Sequence, residues 1–444
     1  MSSVVAIPQG STATTSAWVV AALEEASKRH GRGAVSPELL TCIGEARQVW
    51  SKLLFPTPKL ESWKYTNPEP IAQGPFVLGA ATDIPAAEKM LSEAIIPGLA
   101  DAARVVFVDG VYSEVLSKSV SLPGVALSRI AQAKGDAAAQ VGSLGLHREE
   151  PFAALSTALL SDGVCISLQR GCVVSTPIHV VHLSTGASAG CVCAQRLFIH
   201  AAESSQVSVI ESHYGAAGVR YLSLPIAEIR AEANAKVDYY KIQNESTSSF
   251  HVSGVTVEQH RDAEARTHIF SFGGALVRNN AQVLLRGSNS HAVLNGLSLL
   301  SGKQHVDNAT LIHHIEPSAE SREHFKGIYA GESRGVFSGT ITVEKIAQKT
   351  NAFQSNQALL LSSDAGIESR PQLKIWADDV KCTHGATVGQ LDADALFYLQ
   401  SRGISKEAAK AFLVHAFASE VLSSVQLPAV KEYVEGLISL RLDS

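Results

Sequence analysis

VTVEQHRDAEARTHIFSFGGALVRNNAQVLLRG, residues 255–287, sets the pattern for the middle of this chain. Three runs, VTVEQ, THIFSF and QVLLRG, are rich in β-branched and apolar residues and are separated by polar residues and glycine, the signature of strands joined by turns. Outward from this stretch, VVFV, VVHL, LFIH and VSVI precede it, from Val105 onward, and NATLIHHI and TITV follow it. Ala153–Leu160 reads as one short helix early in the region, and no long helical pattern interrupts Arg196 to Ala377. Unbroken strand-turn-strand repetition of this length implies a stacked solenoid or a large sandwich. Few of the turns are of the Asn-Gly hairpin type, which favours a solenoid whose strands pair in parallel from coil to coil. Its interior would be stacked Val, Ile and Leu, each worth about 1.5–3 kcal/mol when buried. Its end coils would be exposed edges unless helices or a partner's sheet cover them.

Both flanks read as helical. Ser16–Gly31 ends in basic residues and glycine, as a helix C-terminus should. Pro37–Leu54 has Ser36 at the N-cap, Pro37 at N1 and an apolar stripe of Leu39, Leu40, Ile43, Ala46, Val49 and Trp50. After Gly389, Asp392–Arg402 is a helix stopped by Gly403. Ser405 caps the next, with Glu407 in its first turn and Leu413, Phe417 and Val421 on one stripe, and a last helix runs from Ala429 to about Leu442. The expected organisation is a helical region over 1–104, a β core over 105–389 and a helical appendage over 390–444.

The 444 residues, 45% hydrophobic and 18% charged, describe a folded chain, and a net charge of −5 gives no electrostatic reason for a nucleic-acid partner. Six cysteines are too few for a disulfide framework, so a reducing compartment fits. No apolar run approaches the ~20 residues of a membrane span, and the N-terminal MSSVVAIPQGSTATTSAWVV lacks the basic region of a secretory signal. The default location is the cytoplasm, with the plastid stroma as the alternative for a processed organellar chain.

The chemistry-bearing stretch is ADDVKCTHGATVGQLDADALFYLQSRGI, residues 377–404. If Lys381–His384 is extended, Cys382 and His384 share a face. A thiolate and an imidazole so placed can ligate a soft metal or hold a sulfur species; equally, the pair reads as a small buried Cys and a hydrogen-bonded turn His. Other constellations read as structural. In HHIEP, strand alternation separates His313 from His314, and the helical HExxH pattern is absent. His251, His260, His268, His291 and His305 are scattered, with no spacing that assigns them to one face. The Cys191/Cys193 pair has no matching partner pair, GASAG (Gly186–Gly190) is followed by strand rather than the helix a nucleophile elbow at Ser188 needs, and adjacent Asp378 and Asp379 face apart at a turn. No Walker phosphate loop occurs.

DDVKCTHGATVGQLD, together with KTNAFQSNQALLLS (Lys349–Ser362), RGVFSGTITV (Arg334–Val343) and ESWKYTN (Glu61–Asn67), resembles the SufB/SufD family of iron-sulfur cluster assembly scaffolds, its SufD branch in particular. The resemblance implies a mainly β fold, a right-handed parallel β-helix flanked by N-terminal and C-terminal helical domains. It implies a non-enzymatic scaffold whose β-helix pairs with SufB and whose C-terminal helices dock the ATPase SufC, with Phe397, Tyr398 and Arg402 facing that partner. It also implies a transient iron-sulfur cluster shared with SufB, with Cys382 and His384 at the interface, His384 as the metal ligand, and no nucleotide bound by this chain. A homodimer is the alternative pairing for the isolated chain. The competing readings are a β-helix enzyme acting on polysaccharide and an independent metal-binding protein.

Overall fold

The computed structural model describes residues 16–31, 35, 37–79, 82–132 and 139–442. From Asp162–Leu168 onward the longer strands alternate between two sheets, and each pairs with the strand one coil further on rather than with the next strand in sequence. Thus Phe250–Gln259 pairs in parallel with Leu276–Leu285, and Glu264–Ser271 with His291–Leu300. The result is a parallel β-helix running from Ala103–Val108 to Lys381–Gly389.

Register explains why the apolar runs recur. Ile166, Ile199, Ile229, Val257, Val283, Ile312, Ile341 and Leu373 are partners in turn, so one interior position of every coil carries an aliphatic side chain. All but the half-buried Leu373 are fully buried. Shifting any strand by one residue would turn its whole set outward, which fixes the register.

The corners repeat as well. Ser204, Asn234, Asp262, Asn289, Ser318 and Lys349 all adopt left-handed backbone, with φ between 58° and 62°. Each donates its N–H to a carbonyl one coil on, for example Asn234 to Arg261 at 3.0 Å and Ser318 to Gln348 at 2.8 Å. Asn, Asp and Ser tolerate this conformation through local side-chain hydrogen bonds; nothing in the structure explains Lys349. The parallel rule has two local exceptions: Val125–Arg129 pairs antiparallel with Asp162–Leu168, and Ala103–Val108 and Val111–Lys118 form an antiparallel hairpin. Asp109 (φ 51°) and Gly110 (φ 86°) make its turn, the two positive φ values a type I′ turn requires.

The chain's own helices cover both lateral faces. On one, Trp18, Trp50, Trp63, Phe76 and Phe152 pack over Leu222, Phe250 and Val252. Ala17–Arg29, Pro37–Leu53 and Pro151–Ala158 are the helices of this side; the Ser36 cap lies outside the described residues. The ESWKYTN segment is clasped to the same sheet. The Arg278 guanidinium lies 4.1 Å from the Trp63 ring and pairs with buried Asp307, whose carboxylate also accepts from Thr66 Oγ1 at 2.6 Å.

On the other face, Lys406–Leu422 and Pro428–Leu442 cover Ile210, Tyr240, Phe270, Leu297 and Ile328. The buried stripe of the first of these helices is Val414, Ala418, Val421 and Leu422, whereas the sequence reading centred it on Leu413, Phe417 and Val421. Lys326 accounts for the rotation: its buried ammonium donates to the Phe417 carbonyl at 2.9 Å, pairs with Glu420 and lies 4.2 Å from the Phe417 ring, holding that ring at the rim. Among the described residues no helix is long and apolar enough to cross a membrane.

Candidate functional site

Among the described residues no such cover lies over the C-terminal end of the β-helix. Lys381–Gly389 pairs with Asn351–Leu360 on one side only, and Gly366–Ser369 and Gln372–Ile375 end the other sheet on Arg334–Val343. Trp376 and Val388, each more than half exposed, sit on this last coil. A free row of backbone donors and acceptors beside exposed apolar side chains is a surface onto which another strand can pair.

Cys382 and His384 lie on that edge. Their register partners are Ala352 and Gln354, both fully buried, so the two side chains belong to the inward-facing rows of the solenoid. Cys382 is half-buried against the core, whereas His384, with no further coil above it, is exposed. Burial pushes the Cys382 thiol above its ordinary value, so at neutral pH it is a protonated thiol until a metal or partner charge favours the thiolate.

Beneath His384 runs a polar column invisible to a reading of short motifs. Gln354 Nε2 donates to Glu323 Oε2 at 2.7 Å, and both side chains are fully buried. Desolvation raises the Glu323 carboxyl to about 7. Gln354 and Glu323 precede His384 by one and two coil lengths, the only sequence signal that would have found them.

The helix after this edge, Ala393–Ser401, is capped by Asp392, whose carboxylate accepts from Asp394 and Ala395, and Gly403 ends it at φ 86°. It buries none of its residues. Phe397 is 73% and Tyr398 57% exposed, with Arg402 donating to the Tyr398 hydroxyl at 3.2 Å. Two large aromatics on an otherwise uncovered helix form a docking-type surface.

The remaining constellations are structural. His314 is buried on Ser321 while His313 points out to Glu344, as strand alternation requires. The five scattered histidines do not share a face: His268 stacks on Tyr240 under the C-terminal helices, His305 meets Thr66, His260 and His291 lie near acids at the corners, and His251 is interior. Cys191 and Cys193 are buried, and all six cysteines are free thiols. GASAG is a loop leading into strand, with Ser188 and Thr185 bonded to buried Asp109. Asp379 is a corner residue, its backbone held by Gln348 and Lys349. In the groove under the N-terminal segment, Glu61 pairs with Arg370 and Glu150 lies against Arg278.

The architecture defines a class: a β-helix closed laterally by its own helices and open at one end, where a thiol and an imidazole meet the edge. Residues 182–417 match the family described as "SUF system FeS cluster assembly, SufBD core domain", and residues 32–180 match the SufBD protein N-terminal region. The chain is 32% identical to the iron-sulfur cluster assembly protein SufD of Escherichia coli over 90% of its own length and 92% of the relative's. It is 33% identical to the chloroplastic protein ABCI7 of Arabidopsis thaliana over 62% and 61% of the two chains, and 27% identical to SufD of Bacillus subtilis over 66% and 67%. The chain belongs to the SufBD family, as a SufD-type iron-sulfur cluster assembly protein.

Proposed function

We propose that this chain is a non-catalytic scaffold subunit that builds iron-sulfur clusters together with a SufB-type chain and a SufC-type ATPase. One observation carries the reading: the end coil that bears Cys382 and His384 is the uncovered edge of both sheets. Pairing with a second β-helix there would bring the partner's ligands against a thiol and an imidazole, a soft donor set suited to iron and sulfide. The cluster is cargo of the assembly, held only while both chains are in place. Phe397, Tyr398 and Arg402, on the helix that leads away from the edge, are the proposed contact for the ATPase, which supplies the nucleotide chemistry. The domain roles follow: 1–104 and 390–444 clothe or dock, and 105–389 pairs. The compartment is the cytoplasm or, for an organellar chain, the plastid stroma.

Replacing His384 with Ala is expected to leave folding unchanged, because the ring is exposed, and to lower the labile iron and sulfide recovered with the assembled complex by about tenfold or more. Full cluster recovery would remove His384 as a ligand. Phe397→Asp is expected to weaken ATPase co-purification without changing the circular dichroism spectrum; loss of the fold instead would make Phe397 part of a core.

A further inference from the structure

At the opposite end of the solenoid from Cys382, the interior is polar. His182 on Ile178–Ser184 and His213 on Gln206–Gly215 are register partners in adjacent coils, and Glu211 lies two residues from His213 on the same inward row. Glu211 and His213 are 2% and 1% exposed. Glu211 Oε1 is 3.1 Å from His182 Nε2 and 3.5 Å from His213 Nε2, and the three donor atoms all lie within 4.8 Å of one another. The other carboxylate oxygen is engaged by the Tyr239 hydroxyl, which orients Oε1 toward the two imidazoles. Among the described residues neither ring nitrogen of His213 has a hydrogen-bond partner, although the side chain is buried and its Nε2 lies 3.5 Å from the carboxylate.

We propose that His182, Glu211 and His213 form a buried site for one divalent first-row transition-metal cation, separate from the Cys382/His384 edge. Two imidazoles and a carboxylate are a donor set such ions accept. Ligand atoms at ~2.0–2.2 Å from a tetrahedral ion stand ~3.3–3.6 Å apart, close to the two separations to Oε1 found here. Local charge favours a cation: Glu211 and Glu245 place two carboxylates in the same interior, against the single ammonium of Lys241. The two rings stack at 4.4 Å and 5°, and parallel planes cannot both contain the ion, so loading turns one ring out of the stack. His213 is the ring that turns, because no hydrogen bond holds it, whereas His182 is also stacked on Phe107. The His251 ring lies 5.0 Å from His213, with its Nδ1 2.6 Å from a Glu245 carboxylate oxygen.

Glu211 and His213 are buried, so the full-length chain is refolded anaerobically with Co2+, passed through gel filtration, and assayed for bound metal and ligand-field absorption. His384→Ala is carried in parallel to keep the edge out of the measurement. The expected result is about one Co2+ per chain in both, with paramagnetically shifted ring protons from two imidazoles, and binding weakened by about 10–100-fold or more in Glu211→Gln. Refolded wild-type protein without bound Co2+, equal loading in Glu211→Gln, or spectra without imidazole ligands would each overturn the site. If Glu211→Gln does not fold, the wild-type ring-proton signals decide alone. Loss of metal in His384→Ala would place the ion at the edge and also overturn it.

Discussion

Asp307→Ala is expected to destabilise the protein by about 3–5 kcal/mol in urea unfolding, among the largest losses a single substitution should cause. The reason is the buried charge left behind. Arg278 is 1% exposed, and its guanidinium is neutralised by Asp307 while its Nε donates to Asn280 at 3.0 Å. Without the carboxylate, the ion stays buried under Trp63 with only Glu150, 4.0 Å away, as counter-charge, and Thr66 loses its carboxylate acceptor. Removing both charges, as Asp307→Ala with Arg278→Met, should recover most of the loss, since well-packed apolar replacements of buried pairs are often neutral. A loss below about 1 kcal/mol for the single variant would mean that the clasp between ESWKYTN and the solenoid contributes little.

Glu323→Gln is expected to stabilise the protein above neutral pH. The Glu323 carboxyl sits at about 7 in the fold against an ordinary 4.5, because its column is desolvated. The fold therefore prefers the protonated form, and stability falls as pH rises from 4.5 to 7, by ~3 kcal/mol in total, then levels off. An amide cannot ionise and still accepts from Gln354 Nε2. The variant should match wild type near pH 4.5 and exceed it by about 1–3 kcal/mol at pH 8, the difference opening across that window. Identical pH profiles for the two proteins would show that Glu323 is solvated in solution. The prediction bears on function because this column ends at His384.

Much of this was legible in the sequence, and the physics says which part. Strand runs are local patterns, and so are the caps: Asp392 and Ser405 bond their helix N-termini, and Gly403 takes the left-handed stop. The shared face of Cys382 and His384 follows from a period of two. That the face is the interior, and that no coil covers it, required the pairing of Ala352 with Cys382. The left-handed corners from Ser204 to Lys349 recur once per coil, yet six different contexts of Ser, Asn, Asp and Lys hide them from a motif search. The Asp109–Gly110 turn is a local hairpin signal embedded in the longer solenoid pattern. His182, Glu211 and His213 come together only through register, since a coil of chain separates the first from the other two.

Whether the open coil is a pairing surface in an assembling complex decides the function proposed for this chain. The direct measurement is anaerobic co-expression with SufB-type and SufC-type chains, purification through a tag on this chain, and assay of stoichiometry, iron and sulfide. A pairing role at the open coil predicts recovery of all three chains with labile cluster. Recovery of this chain alone, or only paired with itself, under conditions where the other two bind each other would contradict it.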